Sequence, residues 1–304
     1  MARLSPAVDR VVAVLNFLAA HPDEGFTLSE LARRLELNKA TAHATLGGLA
    51  AAGYVLRHPT KLTYSLGPSL IALGAAAQGH SHALEFAREE MRALAERHGL
   101  ACLATAEVAD QMVILARSGM PASLQGLNDV TPVGQRLPLV PPLGTVFKAW
   151  ASDDEIARWL TLMKRTASDD ETERYRAGLA AARRRGYVVG LEADPQATLG
   201  RALAQLADDE RAEHLRGVVE LLVDELGHDE YIPAELEPTA SYLVNHVVAP
   251  VFDPEGTVEI ALSLFGFSGR LSGRQVERLG CDLREACDRV THATHGRIPH
   301  RSAA

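Results

Sequence analysis

From residue 7 to residue 20 the apolar side chains Val8, Val11, Val12, Leu15 and Leu18 return at steps of three and four, the period of a helix with one face on a core. Pro22 lies just beyond. In Thr27, Leu28, Ser29 and Glu30 a hydroxyl stands three residues before a carboxylate, a capping box that predicts a short helix through Leu35. After a break at Glu36 and Leu37, Asn38 is a good N-cap for a third helix. That helix turns Ala42, Leu46 and Leu49 inward, and Gly53 ends it. The period then changes: 54–57 and 62–66 predict two strands joined by a proline turn at His58, Pro59, Thr60 and Lys61. The order is three helices and a two-stranded wing.

Residues 68–98 have helical spacing interrupted at Gly74 and Gly79, which predicts a hinge followed by an amphipathic helix from about 82 to 97. Strands are expected at 100–106 and 111–117, helices at 144–163 and 171–185, and a short strand at 187–189. Segments 244–252 and 257–267 flank Asp253, Pro254, Glu255 and Gly256, a reversal between paired strands. A last helix over 272–295 turns Val276, Leu279, Leu283 and Val290 to one side. The pattern predicts an α+β chain in three parts: a winged helix-turn-helix domain at 1–67, a linker helix region at 68–98, and a domain with a mainly antiparallel sheet at 99–304.

A length of 304 residues, 47% apolar and 23% charged, suits two packed domains rather than a disordered chain. Cys102, Cys281 and Cys287 are odd in number and share no CxxC spacing, so neither a disulfide framework nor a zinc cluster is indicated and a reducing cytoplasm is expected. No stretch approaches the ~18 apolar residues of a membrane span, and the first residues lack the apolar core of a secretion signal. Membrane insertion is not expected.

The net charge of −8 is uneven. Residues 1–79 carry 7 Lys and Arg against 5 Asp and Glu, whereas 191–240 carry 3 against 13, and the remainder balances. A small, slightly basic unit thus precedes a body with one acidic insert, whose Leu203, Leu206, Leu215, Val218, Val219 and Leu222 have helical spacing. Its charge would repel DNA, so the insert is expected away from any DNA-facing surface, as a pocket lid, an oligomer contact or an inert excursion.

Two helices joined by a tight turn and followed by a hairpin can place the second helix in a major groove and the hairpin on the adjacent backbone. Lys39, Ala40, His43, Ala44 and Gly47 project away from the Ala42, Leu46 and Leu49 face; of these, Lys39 and His43 can hydrogen-bond to base edges. Thr27, Ser29 and the amides opening the second helix suit a phosphate, with Asn38 and Thr41 at the start of the third helix and Arg57 and Lys61 on the wing. The same residues also suit a solvated face, or a surface that meets protein. No GxSxG, GxxxxGK[ST] or HExxH motif occurs, and the histidine pairs His80 with His82 and His292 with His295 lack thiols or carboxylates at ligand spacing. No enzyme activity, metal or cofactor is therefore expected.

The stretch TLSELARRLELNKATAHATLGGLAAAGYVLRHPTKLTYSLGPSL, residues 27–70, resembles the winged helix-turn-helix of the IclR family of bacterial transcriptional regulators. The likeness continues in LPLVPPLGTVFKAW (137–150), RRRGYVV (183–189) and VVAPVFDPEGTVEIALSLFG (247–266), landmarks of that family's effector domain, and spares the acidic insert. It implies a homodimer or homotetramer that binds a double-stranded operator, with a GAF-like C-terminal domain whose small-molecule effector changes operator affinity. Where the family usually has an arginine after His43, this chain has Ala44, so a contact of ~1–3 kcal/mol is absent and readout shifts to Lys39, Thr41, His43, the wing or DNA shape. Gly47 and Gly48, each costing about 1 kcal/mol inside a helix, imply a helix that bends or orders only on DNA, or else close packing against a backbone. The effector pocket implied by the resemblance involves Leu143, Gly144 and Thr145 after the LPL landmark, with His246 at a family cysteine, Ser263 at a family serine and Phe265 replacing a second serine. One imidazole, one hydroxyl and one large ring imply an aromatic or alicyclic acid rather than a small keto acid, the alternative being that His246 and Phe265 are simply core residues.

Overall fold

The computed structural model describes residues 5–78, 82–119, 133–162, 168–191 and 232–299. The N-terminal domain opens with α1 (Pro6–Ala20), which buries Val14, Phe17 and Leu18. Val8 and Val12, expected inward, are exposed. The reason is aromatic: Phe17 meets Phe26 edge-on at 4.9 Å, and the Arg34 guanidinium lies 5.1 Å from the Phe26 ring and 5.6 Å from Phe17. Centring α1 on Phe17 turns Val8 and Val12 to solvent, while Val11 and Leu15 stay partly packed on the core.

After α1 come β1 (Phe26–Thr27), α2 (Leu28–Arg34) and α3 (Lys39–Ala51). The capping box forms as its sequence dictates. Glu30 N–H donates to Thr27 Oγ1 at 3.3 Å, and Thr27 N–H donates back to Glu30 Oε2 at 2.7 Å. The Thr27 N–H, and after it the Thr27 hydroxyl, donate to the Glu30 carboxylate and hold it below the ordinary carboxylate range. Asn38 Oδ1 accepts from Thr41 N–H at 2.8 Å to open α3, and Gly53, with φ of 74°, follows its end.

The wing strands are β2 (Val55–Arg57) and β3 (Thr63–Leu66), and β1 adds a third strand by pairing Phe26 with Tyr64 and Thr27 with Thr63. The expected two-stranded wing is therefore a three-stranded sheet in the order β1-β3-β2. A two-residue strand carries no period to read. Gly67 N–H donates to Tyr54 O at 2.8 Å and Ser69 N–H to Gly53 O at 3.1 Å, stitching the end of β3 to the turn after α3. From that crossing α4 (Ser69–Gln78) departs; Gly74, expected to interrupt the helix, lies within it, and Gly79 falls outside the described residues.

The second domain begins with α5 (Ala83–His98), closed by Gly99 at φ of 62°. Its sheet comprises β4 (Ala101–Val108), β5 (Gln111–Ser118), β6 (Arg136–Pro138), β7 (Val188–Leu191), β8 (Ser241–Phe252), β9 (Val258–Phe265) and β10 (Arg270–Ser272). The strands run β10-β8-β9-β4-β5-β6, with β7 also on β8, and every pairing is antiparallel. One face packs on α5 and on α9 (Gly273–Ala293), with Met91, Leu94, Leu262, Leu264 and Leu283 buried between them. Arg289 clamps the two helices through a bidentate pair with Glu90 at 2.7 and 2.8 Å. Cys102 and Cys287 are free thiols buried in that layer, where desolvation pushes Cys102 up to about 12.

The opposite face carries α6 (Thr145–Lys148), α7 (Asp153–Leu160) and α8 (Asp169–Arg185), with Phe147, Trp159, Leu179, Val248 and Phe252 buried. The single helix expected at 144–163 is thus two. Ser152 is the divider: its hydroxyl accepts from Glu155 N–H and its own N–H donates to the Glu155 carboxylate, a capping box that starts α7 afresh. The helices expected in the acidic insert fall on 192–231, outside the described residues. The architecture is a helix-turn-helix domain followed by an α+β domain with an antiparallel sheet.

Candidate nucleic-acid interface and ligand-binding face

In α3 the fold separates two surfaces. Ala42, Leu46 and Leu49 are buried on the domain core, whereas Lys39, Ala40, His43, Ala44, Gly47 and Gly48 are all exposed. No atom lies within 4 Å of where a Cβ would stand on Gly47 or Gly48, so close packing against this protein's own backbone does not account for either glycine. Thr27 and Asn38 have their side-chain oxygens engaged as helix caps, with Ser29 exposed and Thr41 half-buried beside them. The remaining first-turn amides of α2 keep the orientation that suits an anion.

On the wing, Arg57 lies 5.8 Å from the Tyr64 ring and Lys61 is exposed at the tip. The tip is held by His58, whose Nδ1 accepts from Thr60 N–H at 3.3 Å and from Lys61 N–H at 3.2 Å. Lys39, Arg57 and Lys61 have no ion-pair partner among the described residues. Three unneutralised cations on one small domain form a surface that a phosphate backbone satisfies.

The expected effector residues fall into two groups. On the α6–α8 face of the sheet, register aligns Gly190, His246 and Phe265 in one row and Val248, Ser263 and Leu103 in the next. His246 stands over Gly190, where a Cβ would collide with its ring, and lies tilted on Phe265 at a centroid distance of 5.5 Å. Its Nδ1 is 2.9 Å from Asn245 Oδ1. The residue keeps some exposure, yet its ring is enclosed, and desolvation pushes its pKa down to about 4. At physiological pH it is a neutral imidazole. Ser263 is buried two positions from Phe265 on the same face, and α6 packs on both β8 and β9.

Thr145, at the start of α6, is buried and donates its hydroxyl to Pro142 O at 2.6 Å. Leu143 is half-buried, and Gly144, with φ of 82°, sits against Leu139 and close to Met112 on β5. Thr145 therefore opens the helix that packs on the strands of His246, Ser263 and Phe265, while Leu143 and Gly144 pack toward β5. Gln135 joins the same face, and sequence reasoning passed over it. Among the described residues no group of three His, Cys, Asp or Glu could hold a metal ion, and no helix is long and apolar enough to cross a membrane.

Residues 7–59, which hold α1, α2, α3 and most of the wing hairpin, match the IclR helix-turn-helix domain. The N-terminal domain is thus similar to an IclR helix-turn-helix domain. Over 74 residues the chain is 40% identical to the glycerol operon regulatory protein of Streptomyces griseus, a stretch spanning 24% of this chain and 29% of that protein, well under two thirds of its length. The fold as a whole matches an IclR transcriptional regulator from Alicyclobacillus acidocaldarius, with a TM-score of 0.65 and 22% identity over 96% of this chain and all of that one. An IclR homologue from Microbacterium hydrocarbonoxydans, solved with 4-hydroxybenzoate, matches with a TM-score of 0.59 and 19% identity over 95% of this chain and 98% of that one. At those identities the likeness shows the fold. Within it, the N-terminal domain presents α3 with an outward face of Lys39 and His43 among alanines and glycines.

Proposed function

We propose that this protein is a cytoplasmic transcriptional regulator, a repressor, which binds a double-stranded operator as a homodimer or homotetramer. A small molecule on the sheet face of its second domain changes that binding, and the chain is not an enzyme. The observation that carries the reading is the division of α3, with its apolar side in the core and Lys39 and His43 free to enter a groove. Arg57 and Lys61 on the wing, and Thr27, Ser29, Asn38 and Thr41 at the openings of α2 and α3, position the domain on phosphates.

For the effector, the ring pair of His246 and Phe265 beside the Ser263 hydroxyl suits an aromatic or alicyclic acid, with Leu143, Gly144 and Thr145 at the other side. The Microbacterium regulator bound to 4-hydroxybenzoate supports that class. Titration calorimetry is expected to give heat with 4-hydroxybenzoate and none with pyruvate; the reverse pattern sinks the aromatic assignment.

The direct test is fluorescence anisotropy of the full-length protein on its own upstream DNA across a salt series. Lys39→Ala is expected to weaken binding to all sequences and to lower the slope of log affinity against log salt by about 1. His43→Ala is expected to reduce the preference for the upstream site over random DNA by about tenfold. The alternative, a ligand-sensing scaffold whose winged helix meets protein, rests on the small side chains at Ala40, Ala44, Gly47 and Gly48; the absence of any salt-dependent DNA binding would favour it.

A further inference from the structure

Gln135 lies just before β6. Ile114 N–H donates to Gln135 O at 3.0 Å, so Gln135 sits beside Ile114, which pairs with Thr105, which pairs with Ala261. Ala261 belongs to the layer packed under α6, α7 and α8, so this row shares the face of Ser263 and His246. Gln135 is 3% exposed, and neither its Oε1 nor its Nε2 has a hydrogen-bond partner among the described residues. A buried carboxamide holds one acceptor and two donors, and native interiors seldom leave such a group unmet.

We propose that Gln135 is the polar anchor at one end of the ligand site, and that it selects a ring compound bearing an amide, lactam or ureide head. The inference rests on the ligand-binding reading above and goes beyond it by naming the chemistry of the end remote from Ser263. Charge decides between an amide and a carboxylate at this point. Lys148, half-buried at the end of α6 on this face, is paired with Glu107 at 2.5 Å. A carboxylate would meet the Gln135 amide as acceptor only, leaving Oε1 unpaired and its own charge uncompensated. An adjacent N–H and C=O satisfy both ends of the carboxamide. Gln135 and Ser263 stand three strands apart, roughly 14 Å across the sheet, and two residues apart along it, a span that one ring with a polar group at each end can bridge.

The test uses 4-carbamoylbenzoate and terephthalate, which differ only at that head, with 4-hydroxybenzoate as reference, titrated into the full-length protein without DNA. Wild type is expected to prefer 4-carbamoylbenzoate over terephthalate by about tenfold. Gln135→Met is expected to erase that preference, while Ser263→Ala weakens both compounds alike. Because the amide has no partner to lose among the described residues, Gln135→Met is also expected to keep or raise the Tm of the ligand-free protein, the opposite of a structural hydrogen bond. A fall in Tm, or a preference unchanged by Gln135→Met while 4-hydroxybenzoate still binds, overturns the assignment of Gln135 alone. If none of the three compounds binds, the ligand-site reading falls with it, whatever the outcome on DNA.

Discussion

Gly67→Ala is expected to destabilise the N-terminal domain by about 3 kcal/mol and to abolish DNA binding. A methyl group on Gly67 would fall inside the contact distance of the Gly53 carbonyl oxygen, with the Gly53 and Tyr54 carbonyl carbons close behind. Those atoms are backbone, so no side-chain rotation relieves the clash. Relief requires breaking the bonds from Gly67 N–H to Tyr54 O and from Ser69 N–H to Gly53 O, which fix the wing and the start of α4 on the end of α3. Calorimetry of the full chain reads the effect as a lowered first transition. Gly47→Ala is the control, because it meets open space in a helix interior and is expected to stabilise by up to about 1 kcal/mol. Equal Tm values for the two variants would refute the account of the crossing.

Acid is expected to weaken the second domain between about pH 6.5 and pH 4, through His246. Enclosure against Gly190 and Phe265 lowers its folded-state pKa from 6.5 to about 4, so within that window the unfolded chain binds the proton more readily than the native one. Stability is therefore complete above about 6.5 and falls as pH drops toward 4, by on the order of 3 kcal/mol. His98 adds to the same trend, its pKa lowered by burial at the contact of α5 with α9 despite Asp282 at 3.2 Å. Urea midpoints at pH 7 and pH 4.5 check the effect: His246→Gln is expected to flatten the difference, and an undiminished acid loss would assign it to other groups.

The parts of this structure that were legible in the sequence are those written by local chemistry. Thr27 with Glu30, Asn38, and Gly53 each announce a helix end through their own backbone hydrogen bonds, so α2 and α3 could be bounded closely. Long strands such as β8 and β9 announced themselves by their length and the turn between them. β1 and β10 did not, because two or three residues hold no alternation and exist only by pairing with β3 and β8. Ser152 and Glu155 form the same box as Thr27 and Glu30, yet apolar spacing running across them masked the break between α6 and α7. In α1 the valine stripe was a weaker guide than Phe17, whose ring contacts set the helix rotation. Gln135 was invisible for a different reason: glutamine is an ordinary surface residue, and only the register of β5 on β6 shows that this one is enclosed.

The open space above Gly47 and Gly48 bears on how this protein can diverge. Most positions that read DNA are constrained twice, by the base they meet and by the fold that carries them. On the proposed DNA-facing side of α3 the second constraint is relaxed at 47 and 48, where an added Cβ meets nothing beyond the helix itself and strengthens the helix that bears it. Together with the exposed Ala44, the helix offers three vacant places from which an arginine or asparagine could reach a base edge. A lineage carrying this domain could adopt a new target site by one or two substitutions without first acquiring compensating mutations in its core.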